Sequence, residues 1–313
     1  MKSPPSSSTE RPLNASAIAL VLLLCLTWGF NQVAVKLVLP DIPPLTQAGL
    51  RSFGGLIIIL LVARWRRVPL LMRDGTLAAG LFAGVLFGIE FIFLYCGLVW
   101  TTASRAVVFL YTSPFFVALG SYRFLGERLS RLQWVGLALS FVGVALAMGV
   151  PQPNVDAKVL LGDLMMIGAG SLWAATTLII KVSRLRAVPA EKGLAYQLVV
   201  SAPVLGLAAL LGGESMTRFP GTLAISLMVY QVVWVVGATF LLWFMMIKTY
   251  SASKLSAFTF FTPLFGVAAG YFILNEPLTA AFGVAAILVT AGLYLVNRPA
   301  PETTDPLLKR PKT

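Results

Sequence analysis

Residues 102–129 read TASRAVVFLYTSPFFVALGSYRFLGERL, and residues 251–278 read SASKLSAFTFFTPLFGVAAGYFILNEPL. At an offset of 149 residues, Ala103-Ser104 meets Ala252-Ser253, and Pro114, Tyr122, Leu125, Glu127 and Leu129 meet Pro263, Tyr271, Leu274, Glu276 and Leu278. Arg105 and Ser113 change only to Lys254 and Thr262. From 98–147 against 247–296 there are 13 identities, Gly143 falling on Gly292. Trp28 and Lys36 match Trp173 and Lys181 at an offset of 145. Apolar helices use Pro, Glu, Tyr and Lys sparingly, so matches at these residues mark an internal repeat rather than shared hydrophobicity.

The repeat lies in a membrane protein. Of 313 residues 58% are apolar and 12% charged, with a mean hydropathy of +0.86. A soluble chain carries about twice that share of charge. Apolar runs long enough to cross a bilayer occur at 16–38, 44–63, 76–98, 103–123, 132–150, 159–181, 193–212, 222–246, 252–274 and 278–297. The seventh run is interrupted at Ser201-Ala202-Pro203. The expected fold is all-α, with ten membrane helices. Residues 16–150 form one five-helix repeat and 159–298 the other, joined by a linker at 151–158. The tails, 1–15 and 299–313, are polar and Pro-rich and read as disordered. The first apolar run is too long for a secretory signal.

The formal charge of +12 has two readings, a nucleic-acid surface or loop charge that sets orientation. The second fits, because no soluble basic face exists. With the N-terminus placed inside, 19 of the 24 Lys and Arg fall on the inner side, and only Arg105, Lys158 and Arg218 outside. Lys36 and Arg51 lie within spans. Both tails are thus expected in the cytoplasm and the linker in the periplasm. An odd number of spans per repeat turns the second copy over. The three arginines of 123–131 are all gone from 272–280, as an inverted repeat requires.

Cys25 and Cys96 both lie in apolar runs and suggest no disulfide or metal site, and the lack of histidine removes Ser-His chemistry and His-ligated zinc. No cofactor is expected. An aspartyl intramembrane protease needs a second intramembrane Asp beside Asp163, and none occurs. The chain therefore reads as no enzyme, and the inverted repeat argues against a receptor or channel.

Trp28-Gly29-Phe30-Asn31 followed by Lys36 resembles the first-helix signature of the EamA family, in the drug/metabolite transporter superfamily. Arg51 fits an arginine frequent in that family's second helix. Thr102 to Arg105 with Ser113-Pro114, Leu125 to Leu129, Leu274 to Leu278, and Gly162-Asp163 with Trp173 are similar to its later motifs. The resemblance covers about residues 16–297. It implies a ten-helix exporter of small metabolites, often amino acids, in the bacterial inner membrane, with amino-acid exporters of the YddG type as expected relatives. Glu90 departs from the neutral residue of many relatives, so substrate charge is not carried over.

Glu90 lies mid-span, where a carboxylate must face a cavity or a partner. Gly80, Gly84 and Gly88 form a packing stripe, and Glu90 lies about 200° from Gly88. Its two readings are a cavity-lining group and a structural ion pair with Arg51. Asp163 is expected to cap the N-terminus of helix 6, and Glu127 and Glu276 to serve structure at loop positions. Pro114 and Pro263 should kink spans 4 and 9 at matching places, freeing carbonyls near Leu110 and Thr259; paired kinks point to a substrate site or gate. Around them the expected substrate cavity takes Asn31, Glu90, Tyr95, Tyr111, Ser113, Trp173, Thr176, Trp243, Phe258 and Phe261, with Trp234 also a candidate. Such an aromatic, mildly polar cavity suits amino acids or amphiphiles. The alternative function is proton-coupled multidrug or organic-cation export through Glu90. Expected partners are a small molecule and the bilayer, with no nucleic acid, and two fused halves make a monomer sufficient.

Overall fold

The computed structural model describes residues 13–127, 129–147, 156–276 and 282–298. Expectations for the tails up to residue 12 and from 299, for most of the linker, and for residues 128 and 277–281 lie outside the described residues.

The described residues are helical, with no strand among them. Eight helices are long and apolar enough to cross a bilayer: α1 (Ala15–Val38), α2 (Pro44–Trp65), α3 (Leu77–Trp100), α4 (Ala103–Leu125), α6 (Ala157–Val182), α7 (Ala190–Leu211), α8 (Thr222–Thr249) and α9 (Ala252–Leu274). Two shorter apolar helices, α5 (Arg131–Ala147) and α10 (Phe282–Asn297), coincide with the expected runs 132–150 and 278–297.

Local chemistry sets the ends. The Asn14 side chain accepts from Ala17 N at 2.9 Å and opens α1, while α2 starts with Pro44, whose missing N–H costs nothing in a first turn. α6 is capped by Asp156, which accepts from Lys158 N at 2.9 Å. This corrects the expectation for Asp163. The helix starts at Ala157, more than a turn ahead of Asp163, so Asp163 sits inside α6, where it accepts from Thr101 Oγ1 (2.8 Å) and pairs with Arg105.

Two long spans are broken. The helical ladder of α4 stops at Leu110 and resumes at Ser113, and that of α9 stops at Phe258 and resumes at Phe261. Bonds from Thr112 N to Phe109 O (3.3 Å) and from Thr262 N to Thr259 O (2.9 Å) bridge the gaps. Pro114 and Pro263 therefore occupy first turns of restarted helices rather than helix interiors, which spares the ring its clash with a preceding carbonyl.

Both spans end alike. Gly126 and Asn275, at the matching offset, take left-handed conformations (φ 70° and 54°), which Gly and Asn adopt most readily. Each chain reversal delivers the following carboxylate to the other helix. Glu276 accepts from Ala103 N (3.1 Å), Ser104 N (3.2 Å) and the Ser104 hydroxyl at the start of α4. Glu127 accepts from the Ser251 hydroxyl (2.9 Å), Ala252 N (3.4 Å) and Ser253 N (3.2 Å) at the start of α9. Helices α4 and α9 are thus antiparallel, each ending on the positive pole of the other.

Helices α1 and α9, α4 and α6, α3 and both α6 and α7, α2 and α7, and α5 and α10 pack in pairs. Close approach depends on glycine. A Cβ on Gly29 would lie 2.7 Å from Gly266 N and 2.8 Å from Thr262 O, so α1 and α9 meet backbone to backbone. The stripe Gly80, Gly84 and Gly88 receives Tyr196, Val200 and Val204 of α7. One apolar core runs through α1 to α4 and α6 to α9, and a second joins α5 and α10 to α4 and α9.

Candidate functional site

The main core encloses a cavity between α1, α2, α3, α4, α6, α7 and α8. Its space between atoms, the opening to solvent included, is about 630 Å³.

Aromatic rings make the wall. Trp28, Trp173 and Trp243 form a mutual cluster with centroids 5.3 to 5.6 Å apart, and Tyr111 meets Trp173 edge-on at 5.5 Å. Trp28 and Trp173 are the matched tryptophans of the two repeats, so the repeats meet here. Trp28 Nε1 donates to Thr239 Oγ1 (3.0 Å), which fixes its ring. Phe87, Phe91, Phe240 and Phe244 complete the wall. Between Tyr230 and Phe240, α8 is wound as a π-helix, which carries Val235 and Phe240 to the cavity. Such segments are uncommon and recur at functional sites.

The polar lining is underused. Asn31 Oδ1, Gln32 Oε1, Thr176 Oγ1 and both amide atoms of Gln197 are buried without a hydrogen-bond partner. So are Glu90 Oε2 and the Nε and Nη2 of Arg51. Buried polar groups are normally satisfied by protein or water, so these atoms are free to take water or a ligand.

Arg51 and Glu90 lie close enough to influence each other electrostatically but form no salt bridge, the contact that one reading of the sequence expected. The guanidinium lies on the Phe91 ring, 3.8 Å from its centroid, with Phe240 and Tyr95 at 5.5 and 5.6 Å. Glu90 precedes Phe91 and points about 100° away around α3. Cation–π contact returns about 0.5–2 kcal/mol, while burying an ion costs several. Both charges therefore remain short of partners, and both line the cavity.

Of the residues expected to bind substrate, Asn31, Glu90, Tyr111, Trp173, Thr176 and Trp243 line this space. The others stand off it. Tyr95 is buried behind Arg51, donating to Gln231 Oε1 at 2.9 Å. Ser113 is buried at the α4 break, against α6 at Gly170. Phe258 packs in the core and its carbonyl accepts from Cys25 Sγ (3.4 Å), while Phe261 stacks on Phe265. Trp234 is 40% exposed and donates to Thr27 Oγ1 at 3.1 Å, outside the cavity. The breaks before Pro114 and Pro263 differ in role: the first brings Leu110 and Tyr111 to the cavity, the second does not reach it. Gln32 and Gln197, missed by the sequence reading, carry the same signal as Asn31, an amide deep in an apolar run. The four phenylalanines carry none.

The EamA-like transporter family model matches residues 15–149 and 160–298, nearly all of both halves. The chain belongs to that family. A probable amino-acid metabolite efflux pump of Salmonella typhimurium is 31% identical over 290 residues, covering 88% of this chain and 93% of the relative. Its Escherichia coli counterpart, described in the same words, is 30% identical with the same coverage. The uncharacterized transporter YoaV of Bacillus subtilis is 26% identical over 88% of this chain and 94% of its own. A solved crystal structure at 19% identity has a TM-score of 0.76 over 91% of this chain and 99% of the other, which shows the shared fold. The protein is a multi-pass membrane transporter.

Proposed function

We propose that this EamA-family transporter exports small metabolites of the amino-acid class, aromatic ones included, from the bacterial cytoplasm by alternating access around the central cavity. The observation that carries the reading is a buried, aromatic-walled space lined by unsatisfied polar groups where the two repeats meet. The efflux pumps similar to this chain agree with it.

Ten spans in two inverted repeats, with both tails cytoplasmic, are part of this proposal. Exchanging α1 with α6 and α4 with α9 turns the α1–α9 pairing into the α6–α4 pairing, and it turns the Glu276 cap into the Glu127 cap. A two-fold axis in the membrane plane produces such an exchange. The axis is internal to one chain, so a monomer suffices.

Counterflow of labelled amino acids in proteoliposomes of the purified chain tests the transport reading. Exchange of at least one amino acid is expected. No exchange of any amino acid, with proton-driven exchange of tetraphenylphosphonium, selects the organic-cation alternative. Topology is tested by an impermeant thiol reagent on intact cells, in a background lacking Cys25 and Cys96. Lys158→Cys should react and Ala187→Cys should not; the opposite pattern rejects the orientation.

A further inference from the structure

Arg51 and Glu90, 1% and 5% exposed, come from neighbouring helices α2 and α3 and face the same cavity. Every other residue of the lining is neutral. One buried charge would call for a ligand of the opposite sign. Two charges of opposite sign, joined by no salt bridge and each with unpartnered polar atoms, match a ligand carrying both.

The donor geometry is more specific. The two unpartnered nitrogens of Arg51, Nε and Nη2, share one edge of the guanidinium. Two parallel N–H groups on one edge match the two oxygens of a carboxylate, which is the preferred bidentate arrangement. Phe91 under the guanidinium face holds that edge in place. Glu90 offers one unpartnered acceptor, Oε2, suited to an ammonium N–H. The tryptophan cluster contains no charge to receive a charged substituent.

We propose that Arg51 and Glu90 form the head-group site for a zwitterionic α-amino acid. Arg51 holds the α-carboxylate, Glu90 the α-ammonium, and Trp28, Trp173 and Trp243 enclose an uncharged side chain. The proposal rests on the exporter reading above and narrows it to neutral, apolar amino acids. A free carboxylate or amine leaves one buried charge unmatched and is rejected on that ground.

The test uses the full chain in proteoliposomes, with L-phenylalanine and L-leucine as labelled probes. For whichever exchanges faster, inhibition is compared with that by its amine and its acid: phenethylamine and 3-phenylpropionate, or isoamylamine and 4-methylvalerate. Leaving one partner of a buried charge pair unmatched weakens binding by about 30-fold or more, and both analogues should lose that much. Arg51→Gln should close the gap for the amine alone, and Glu90→Gln for the acid alone. Parental exchange inhibited equally by amino acid, amine and acid overturns the head-group site and leaves the exporter standing. Exchange of neither probe, while another amino acid exchanges, overturns the apolar class; exchange of no amino acid overturns the exporter reading itself. If either variant fails to elute as a single species, the analogue series on the parental chain decides alone.

Discussion

The reciprocal carboxylate caps on α4 and α9 lead to a prediction with opposite signs at the two ends of one molecule. Glu276 closes three hydrogen bonds onto the start of α4, and Glu127 closes three onto the start of α9. Losing a side-chain cap costs about 0.5–2 kcal/mol, and charge-assisted bonds stand at the upper end of their range. When α4 and α9 part, the freed N–H groups meet water, so the net contribution of each cap is about 2 kcal/mol, or about 30-fold in population. In the proposed topology Glu276 lies at the outer end and Glu127 at the inner end. Glu276→Ala should therefore raise the outward-open population by up to about 30-fold, and Glu127→Ala should lower it as much. A Thr177→Cys reporter in a background lacking Cys25 and Cys96, reacted from outside with an impermeant maleimide, reads that population as a rate, because Thr177 lines the cavity. Equal shifts in the same direction from both variants, with each still eluting as a folded species, would refute the idea that the caps are opposed latches.

Gly29→Val should lower the unfolding temperature in detergent, since its Cβ would meet the backbone of Gly266 and Thr262, at a cost of about 1–3 kcal/mol. Gly206→Ala, inside α7 with open space around it, is the control and should leave the temperature unchanged or slightly raised. Asp163→Asn should destabilise by about 1–3 kcal/mol by leaving Arg105 without its partner, and adding Arg105→Gln should recover part of the loss in a denaturation series. Asp74, in the loop between α2 and α3, is held down from 3.8 to about 2, first by Lys192 and then by Thr76. Its contact contributes stability above the ordinary value and loses it as pH falls toward about 2. The stability difference between the parental chain and Asp74→Asn should therefore stay constant from pH 8 to 5 and shrink only below about 4. A difference that vanishes near neutral pH would contradict that pairing.

Much of the framework was legible from residue types and spacing. Charge-bounded apolar runs marked the membrane helices because burying a helix in lipid leaves a compositional trace. The Gly126-Glu127 and Asn275-Glu276 endings could be matched by offset because a left-handed cap admits few residue types. Pro114 and Pro263 signalled interruption, although the breaks fall just before them. Asp163 was misread because it was weighed by its nearness to the helix start alone, whereas the capping carboxylate, Asp156, lies ahead of the apolar run.

Residue order by itself determined the membrane class, the internal repeat, and the places where α4 and α9 are interrupted and end. Each is a local property, written in neighbouring residues or in their copy 149 positions on. Only the tertiary structure decided that Arg51 turns to Phe91 instead of Glu90, and that Phe87, Phe91, Phe240 and Phe244 of the 20 phenylalanines wall the cavity. The cavity is assembled from seven helices, so its membership depends on how each is rotated against its neighbours. That rotation is set by backbone contacts such as Gly29 on Gly266 and by the π-helical winding of α8, which brings Phe240 to the wall. A pair of opposite charges on adjacent spans is compatible with a salt bridge or with two separate poles; the phenyl ring beneath the guanidinium selects the second.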